Sequence, residues 1–181
     1  VLHLNPKSGR WVPDYTHLQR HVNATIAFNV WRYYDATADM EFLASFGAEM
    51  IIEIARFWAS AAHFNPDRNR YEIHHVVGPD EFHTQYPDSN QPGLNNNAYT
   101  NVMAAWVIRC ALCVLDELPK DRSNELLQDL EITQDDIASW KDVARKMLIP
   151  FHDDGIISQF EGYERLLSLI HISEPTRLRR I

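Results

Sequence analysis

Three stretches of this chain repeat apolar residues at intervals of three and four, and that spacing demands helices packed on one another. Between Glu41 and Ala62, Phe42, Phe46, Met50, Ile54, Phe57 and Trp58 fall on one broad helical face, with Glu49 and Glu53 among the polar positions. Val22, Ile26, Val30, Trp31 and Tyr34 show the same period earlier, and Ala24, Ala27 and Ala36 add helix propensity. A third pattern runs through Tyr99, Val102, Met103, Trp106, Val107, Cys110, Val114 and Leu115 until Leu118 and Pro119 end it. The first two helices, joined by the short turn ATADMEF, should pack as an antiparallel hairpin.

Elsewhere the sequence is punctuated. Pro6, Ser8, Gly9, Pro13 and Asp14 make residues 1–20 an expected loop. Asn65, Pro66 and Asp67 stop the helical hairpin. Tyr71, Ile73 and His75 then alternate with Glu72 and His74 before Val76 and Val77, which fits a short strand. From Gly78 to Asn97 prolines, glycines and asparagines predict a long loop, and structureless connections above about 12–15 residues are usually functional or mobile. Leu126 to Leu130 suits a short helix. Thr133 and Asp136 then form an N-cap signal ahead of Ile137, Trp140, Val143, Ala144 and Met147. Pro150 to Gly155 turns the chain, and IISQFEGY returns in extended or looping form. This order is all-α. Four or five helices could close into a bundle, or helical hairpins could form part of a toroid that carries its site on interhelical loops. Trp31, Trp58, Trp106 and Trp140 occupy helical core positions and are expected to pack before they bind.

A hydrophobic fraction of 45% over 181 residues is enough for one core. The net charge of −8 argues against a nucleic acid or an anionic membrane as partner. Cys110 and Cys113 should share one helical face as buried thiols, and no ligand-spaced Cys or His follows, so no metal is expected. No cleavable leader or 18-residue apolar span stands out, which makes a soluble, cytoplasmic protein the expectation. The start at Val1, in a loop-like stretch, is what a piece excised from a larger protein would show, and a processed start would look the same.

The long loop carries the most chemistry in VVGPDEFH. Adjacent Asp80 and Glu81 should point apart, so they make a poor pair of carboxylates facing across a sugar. If water attacks the anomeric carbon, a second carboxylate must come from elsewhere. If inorganic phosphate attacks, one protonated carboxyl suffices, and Glu81 beside Phe82 and Tyr86 could supply it. The same residues also suit a solvated turn. Arg20 and His21 precede the first helix, Asn23 lies in its first turn, and Asn95, Asn96 and Asn97 precede the third helix, where one should be a cap. Gln159 and Glu161, with Phe160 and Tyr163, suit a carbohydrate or a packed loop equally.

RHVNA with FNVWRYYDAT, GAEMIIEIARFWAS, GPDEFH, NNNAYTNVMAAW and QFEGY together resemble glycoside hydrolase family 65, from about His3 to Leu166. That family contains inverting phosphorylases of trehalose, maltose, kojibiose and related α-glucosides, and some α-glucoside hydrolases. The resemblance implies a partial (α/α)6 barrel of antiparallel helical hairpins, in which residues 1–167 are a central fragment of the catalytic domain. It implies Glu81 as the general acid, and Arg20, His21, Asn96, Asn97 and Gln159 as substrate-binding residues. It implies no cofactor and no metal, with inorganic phosphate as co-substrate, an α-glucoside disaccharide as the partner, and room for a homodimer in the full-length protein. Phosphorolysis to β-glucose 1-phosphate is the expected reaction. Hydrolysis by the same fold is the alternative, and a carbohydrate-binding or structural helical module is a reading from another class. On either enzymatic reading the isolated fragment is expected to be inactive. Two departures stand out: Asn95 replaces the usual Asp, and the basic tail over residues 168–181 has no family counterpart.

Overall fold

The computed structural model describes residues 2–5, 9–13, 15–79 and 83–166. Among the described residues six α-helices carry the fold: α1 (His21–Thr37), α2 (Met40–Phe42), α3 (Ala48–Ala61), α4 (Ala98–Glu117), α5 (Lys120–Asp129) and α6 (Gln134–Lys146). Central α4 packs against α3, α6 and α1, while α1 also packs against α3. One core cluster joins them, in which Leu43, Ile51, Ile52, Trp58, Val107 and Ile108 are fully buried. The result is an all-α arrangement of packed helices, consistent with part of an α/α toroid.

Both helical phases in α1 satisfy the three-four spacing, and packing selects the one made of small side chains. His21, Ala24, Ala27 and Val30 face inward, whereas Val22 and Ile26, expected on the core face, are exposed. An alanine stripe lets α1 approach its neighbours closely. The second helix is not one continuous α-helix. A π-helical turn, Leu43–Gly47, separates α2 from α3, and its extra residue rotates the later face relative to the earlier one. Phe46 is therefore 64% exposed and Met50 also lies outside, against the sequence expectation. Gly47 sits where a Cβ would lie 3.1 Å from Cγ1 of Val30, so its lack of a side chain permits the contact with α1.

Residues 1–20 are not all loop. β1 (Leu2–Asn5) and β2 (Arg10–Pro13) pair antiparallel, because two short segments can satisfy each other's backbone groups despite the surrounding punctuation. Similarly, the strand expected near Tyr71 is β4 (Arg70–Glu72), paired with β3 (His63–Asn65). Asn65–Pro66–Asp67 thus begins a β-turn rather than a bare stop, with Asn65 Oδ1 accepting from the Asp67 backbone N–H at 3.0 Å.

Thr133 and Asp136 form the complete reciprocal capping box at the start of α6. Trp58 and Trp140 are buried, while Trp31 and Trp106 are only half-covered. Cys110 is buried, and burial, with a smaller contribution from Cys113, pushes its thiol up to about 12. Cys113 is exposed, since an offset of three residues carries it past the edge of the buried face. Contrary to the expectation of no 18-residue apolar span, the 20 residues of α4 are long and apolar enough to cross a membrane by length and composition. Its packing against α1, α3 and α6 is that of a core helix.

Candidate functional site

Buried polar side chains gather around the N-terminus of α4 and the chain segments that meet it. Asn97 is the N-cap of α4: its Oδ1 accepts from the Thr100 backbone N–H at 3.0 Å and from Thr100 Oγ1 at 3.1 Å. The asparagine cap is thus Asn97, and Asn95 and Asn96 serve the loop. Asn96 is fully buried with φ +51°, a left-handed backbone that Asn tolerates better than most residues. Its Oδ1 accepts from the Ile73 backbone at 3.2 Å and from Asn101 Nδ2 at 3.2 Å, and its Nδ2 donates to Glu161 at 2.7 Å. The first turn of α1 follows another pattern. No side chain caps it, and Asn23 Oδ1 is buried without a partner among the described residues.

The loop before α4 is tied down at its base. Val76 and Leu94 exchange both backbone hydrogen bonds, at 3.0 and 2.8 Å, and Val77 N–H donates to the Leu18 carbonyl. Gly78 follows at close quarters to Asn97: a Cβ there would lie 2.4 Å from Asn97 Nδ2. The returning segment then seals the other side. Ala98 N–H donates to the Gln159 carbonyl at 2.9 Å, and Glu161 N–H donates to the Asn95 carbonyl at 3.1 Å.

Between these segments lies a cleft of about 450 Å3, a volume suited to a small ligand. Pro79, Asn97, Tyr99, His152, Ser158, Gln159 and Tyr163 contribute to its walls. Amide, hydroxyl and imidazole groups beside two phenol rings can hold sugar hydroxyls and stack on a pyranose face. His83 resumes the described chain against Phe160 and Tyr163, with ring centroids 5.5 and 5.8 Å away. Described residues on both sides of the Asp80–Phe82 stretch therefore adjoin the cleft or its wall. Asp80, Glu81 and Phe82 themselves lie outside the described residues, as does the tail over 168–181.

Of the other sequence-derived candidates, Asn97 and Gln159 line this cleft together. Asn96 lies beneath, held by its own hydrogen bonds. Arg20 is exposed at the N-cap position of α1 and does not line the cleft. His21 is buried with its ring edge-on to Tyr99 at 5.7 Å, so it meets the site through a cleft-lining side chain. Burial lowers its pKa, only partly countered by a hydrogen bond to the Val77 backbone, and its Nδ1 has no partner among the described residues.

An ionic network centres on Arg68 and Glu161, which line a neighbouring cavity that shares His152, Ile156 and Ser158 with the cleft. Arg68 Nη2 meets Glu161 at 2.6 Å and Arg68 Nη1 meets Glu72 at 3.1 Å, while His74 Nε2 lies 2.9 Å from the second Glu72 oxygen. Burial alone would push the Glu161 carboxyl up. Hydrogen bonds from Arg68 and Asn96, together with the Arg68 and His74 charges, more than offset this and leave it below its ordinary value. Arg68 and Glu161 are far apart in sequence, and no local pattern pairs them. Among the described residues no three His, Cys, Asp or Glu side chains converge as a metal site.

Residues 1–174 match the glycosyl hydrolase family 65 central catalytic domain. An uncharacterized glycosyl hydrolase of Mycobacterium tuberculosis is 50% identical over 168 residues, which cover 93% of this chain and 13% of that protein. The kojibiose phosphorylase of Caldanaerobacter subterraneus subsp. tengcongensis is 41% identical over 157 residues, covering 84% of this chain and 19% of its own length. A solved structure from the human microbiome, named as a kojibiose phosphorylase, superposes with a TM-score of 0.68 at 26% identity, covering 79% of this chain and 19% of that one. The chain thus spans less than a fifth of the length of these relatives.

Proposed function

The chain belongs to glycosyl hydrolase family 65, and on that premise we propose that it contributes to the active site of an inverting α-glucoside phosphorylase. The observation that carries this reading is the cleft where Pro79, two positions before Glu81, meets Asn97, Gln159 and Tyr163. Glu81 is the proposed general acid. Its proton passes to the glycosidic oxygen as the bond from that oxygen to C1 breaks, and a phosphate oxygen attacks C1 from the opposite face. The proton lost when dihydrogen phosphate becomes an ester restores the acid. The products are β-glucose 1-phosphate and the released sugar. The proposed substrate is an α-glucosidic disaccharide of the trehalose, maltose or kojibiose type, with Asn97 and Gln159 binding hydroxyls and His21 and Arg20 at the margin. The proposed scaffold is an (α/α)6 barrel whose further helices cover exposed apolar residues such as Val22, Ile26 and Val102. A cytoplasmic location goes with this reading.

The test uses a polypeptide of the relatives' full length that carries this segment. Trehalose, maltose and kojibiose are each supplied with and without phosphate. Phosphate-dependent formation of β-glucose 1-phosphate is expected, and Glu81→Gln should lower turnover by about 10²- to 10⁴-fold with the fold intact. Cleavage that ignores phosphate and yields free glucose would move the assignment to hydrolysis. Near-normal turnover by Glu81→Gln would remove Glu81 from the acid role.

A further inference from the structure

We propose that Glu161, held by Arg68, is a positioning residue that fixes both sides of the loop bearing Glu81, an assignment that rests on the acid role proposed above. Residue 161 reaches the loop by main chain and side chain at once. Its carbonyl accepts from Tyr86 Oη at 2.9 Å, and that same phenol oxygen accepts from the Asn95 backbone N–H at 3.0 Å. Its backbone N–H donates to the Asn95 carbonyl at 3.1 Å. Its carboxylate takes one hydrogen bond from Asn96 Nδ2 and an ion pair from Arg68.

These contacts meet the two flanks of the acid by different routes. Tyr86 follows Glu81 in the chain and is tied directly to residue 161. Gly78 precedes Glu81 and abuts Asn97, whose neighbour Asn96 is the carboxylate's partner. Arg68 is itself anchored, because its other Nη meets Glu72, which also accepts from Asn65 at 3.0 Å. The β3–β4 turn therefore sets where Arg68 stands, Arg68 sets the Glu161 carboxylate, and residue 161 sets the loop. With its side chains 46% and 35% exposed, the Arg68–Glu161 pair adds little stability, and its role here is the restraint it places on segments far apart in sequence.

A group that positions a general acid matters most when the leaving group needs a full proton. An ordinary disaccharide expels a poor leaving group, whereas α-glucosyl fluoride loses fluoride with little protonation. In both substrates a bond at C1 breaks while an oxygen nucleophile, phosphate or water, adds there. Fluoride release therefore reports on the site whichever nucleophile operates. In the full-length enzyme, Glu161→Gln should lower kcat on the disaccharide by roughly tenfold or more with KM little changed. The ratio of disaccharide to fluoride turnover should fall by a similar factor. Arg68→Gln, which leaves the Asn96 contact in place, should shift that ratio in the same direction by less, and it carries the test if Glu161→Gln does not fold. Equal losses on both substrates in a folded variant, or an unaltered ratio, would overturn the positioning role. Failure of the phosphorylase reading would appear separately, as phosphate-independent turnover by the wild-type enzyme, with the ratio test still valid for hydrolysis.

Discussion

Replacing Gly78 by alanine should couple the stability of α4 to the placement of the loop. The added Cβ would lie 2.4 Å from Asn97 Nδ2 and 2.9 Å from its Cγ, about 1 Å inside ordinary heavy-atom contact. Asn97 cannot swing away freely, because its Oδ1 holds both the backbone N–H and the hydroxyl of Thr100. Either the cap breaks or the loop backbone shifts, and overpacking of this kind costs about 1–3 kcal/mol. Asn97→Ala alone forfeits the cap, at about 1 kcal/mol, but it removes the atoms that the new methyl group would strike. The pair should therefore be non-additive: in denaturant unfolding, Gly78→Ala with Asn97→Ala should cost at least about 1 kcal/mol less than the sum of the single changes. Activity provides a second readout, because a loop displaced by about 1 Å costs on the order of 10²-fold in turnover. Additive stabilities, or a neutral Gly78→Ala, would show that the loop does not pack on Asn97 in this way.

Acidification should act through His21, whose folded pKa lies below the ordinary 6.5 because burial disfavours the imidazolium. Its neutral form contributes stability that is fully present above 6.5 and lost as pH falls from there toward the folded value. An imidazole titration by NMR should give a midpoint below 6.5, and a midpoint at or above it would contradict the buried placement. Asn101→Ala should destabilise the chain by about 1–3 kcal/mol in a thermal or denaturant melt, since Asn101 Nδ2 donates to the Leu148 carbonyl at 2.8 Å and that acceptor would lose its partner. A change below about 0.5 kcal/mol would argue against that bond.

Local chemistry in the sequence already contained much of the scaffold. The Thr133–Asp136 box, a cap among Asn95, Asn96 and Asn97, and the end of α4 before Pro119 depend on neighbours within a few positions, so they could be recognised without a fold. The motif series likewise pointed to the family. Helical phase was harder. Val22 and Ile26 satisfy the same period as the buried alanines of α1, and the π turn before α3 rotates Phe46 outward without disturbing the apolar count. Periodicity specifies a repeat, while only the approach of neighbouring helices selects the face.

The amino-acid order by itself determined the helical class, the capping box of α6 and the long loop, because propensity, capping and turn chemistry are interactions between near neighbours. Tertiary structure decided that Asn96 is a strut under the cleft while Asn97 caps α4 in its wall, though the two are adjacent. It also decided that Arg68 faces Glu161 across the return segment. Such partners are fixed by where chain segments cross, and electrostatic and hydrogen-bond energies depend on distances of a few ångströms in space, which separation along the chain does not encode.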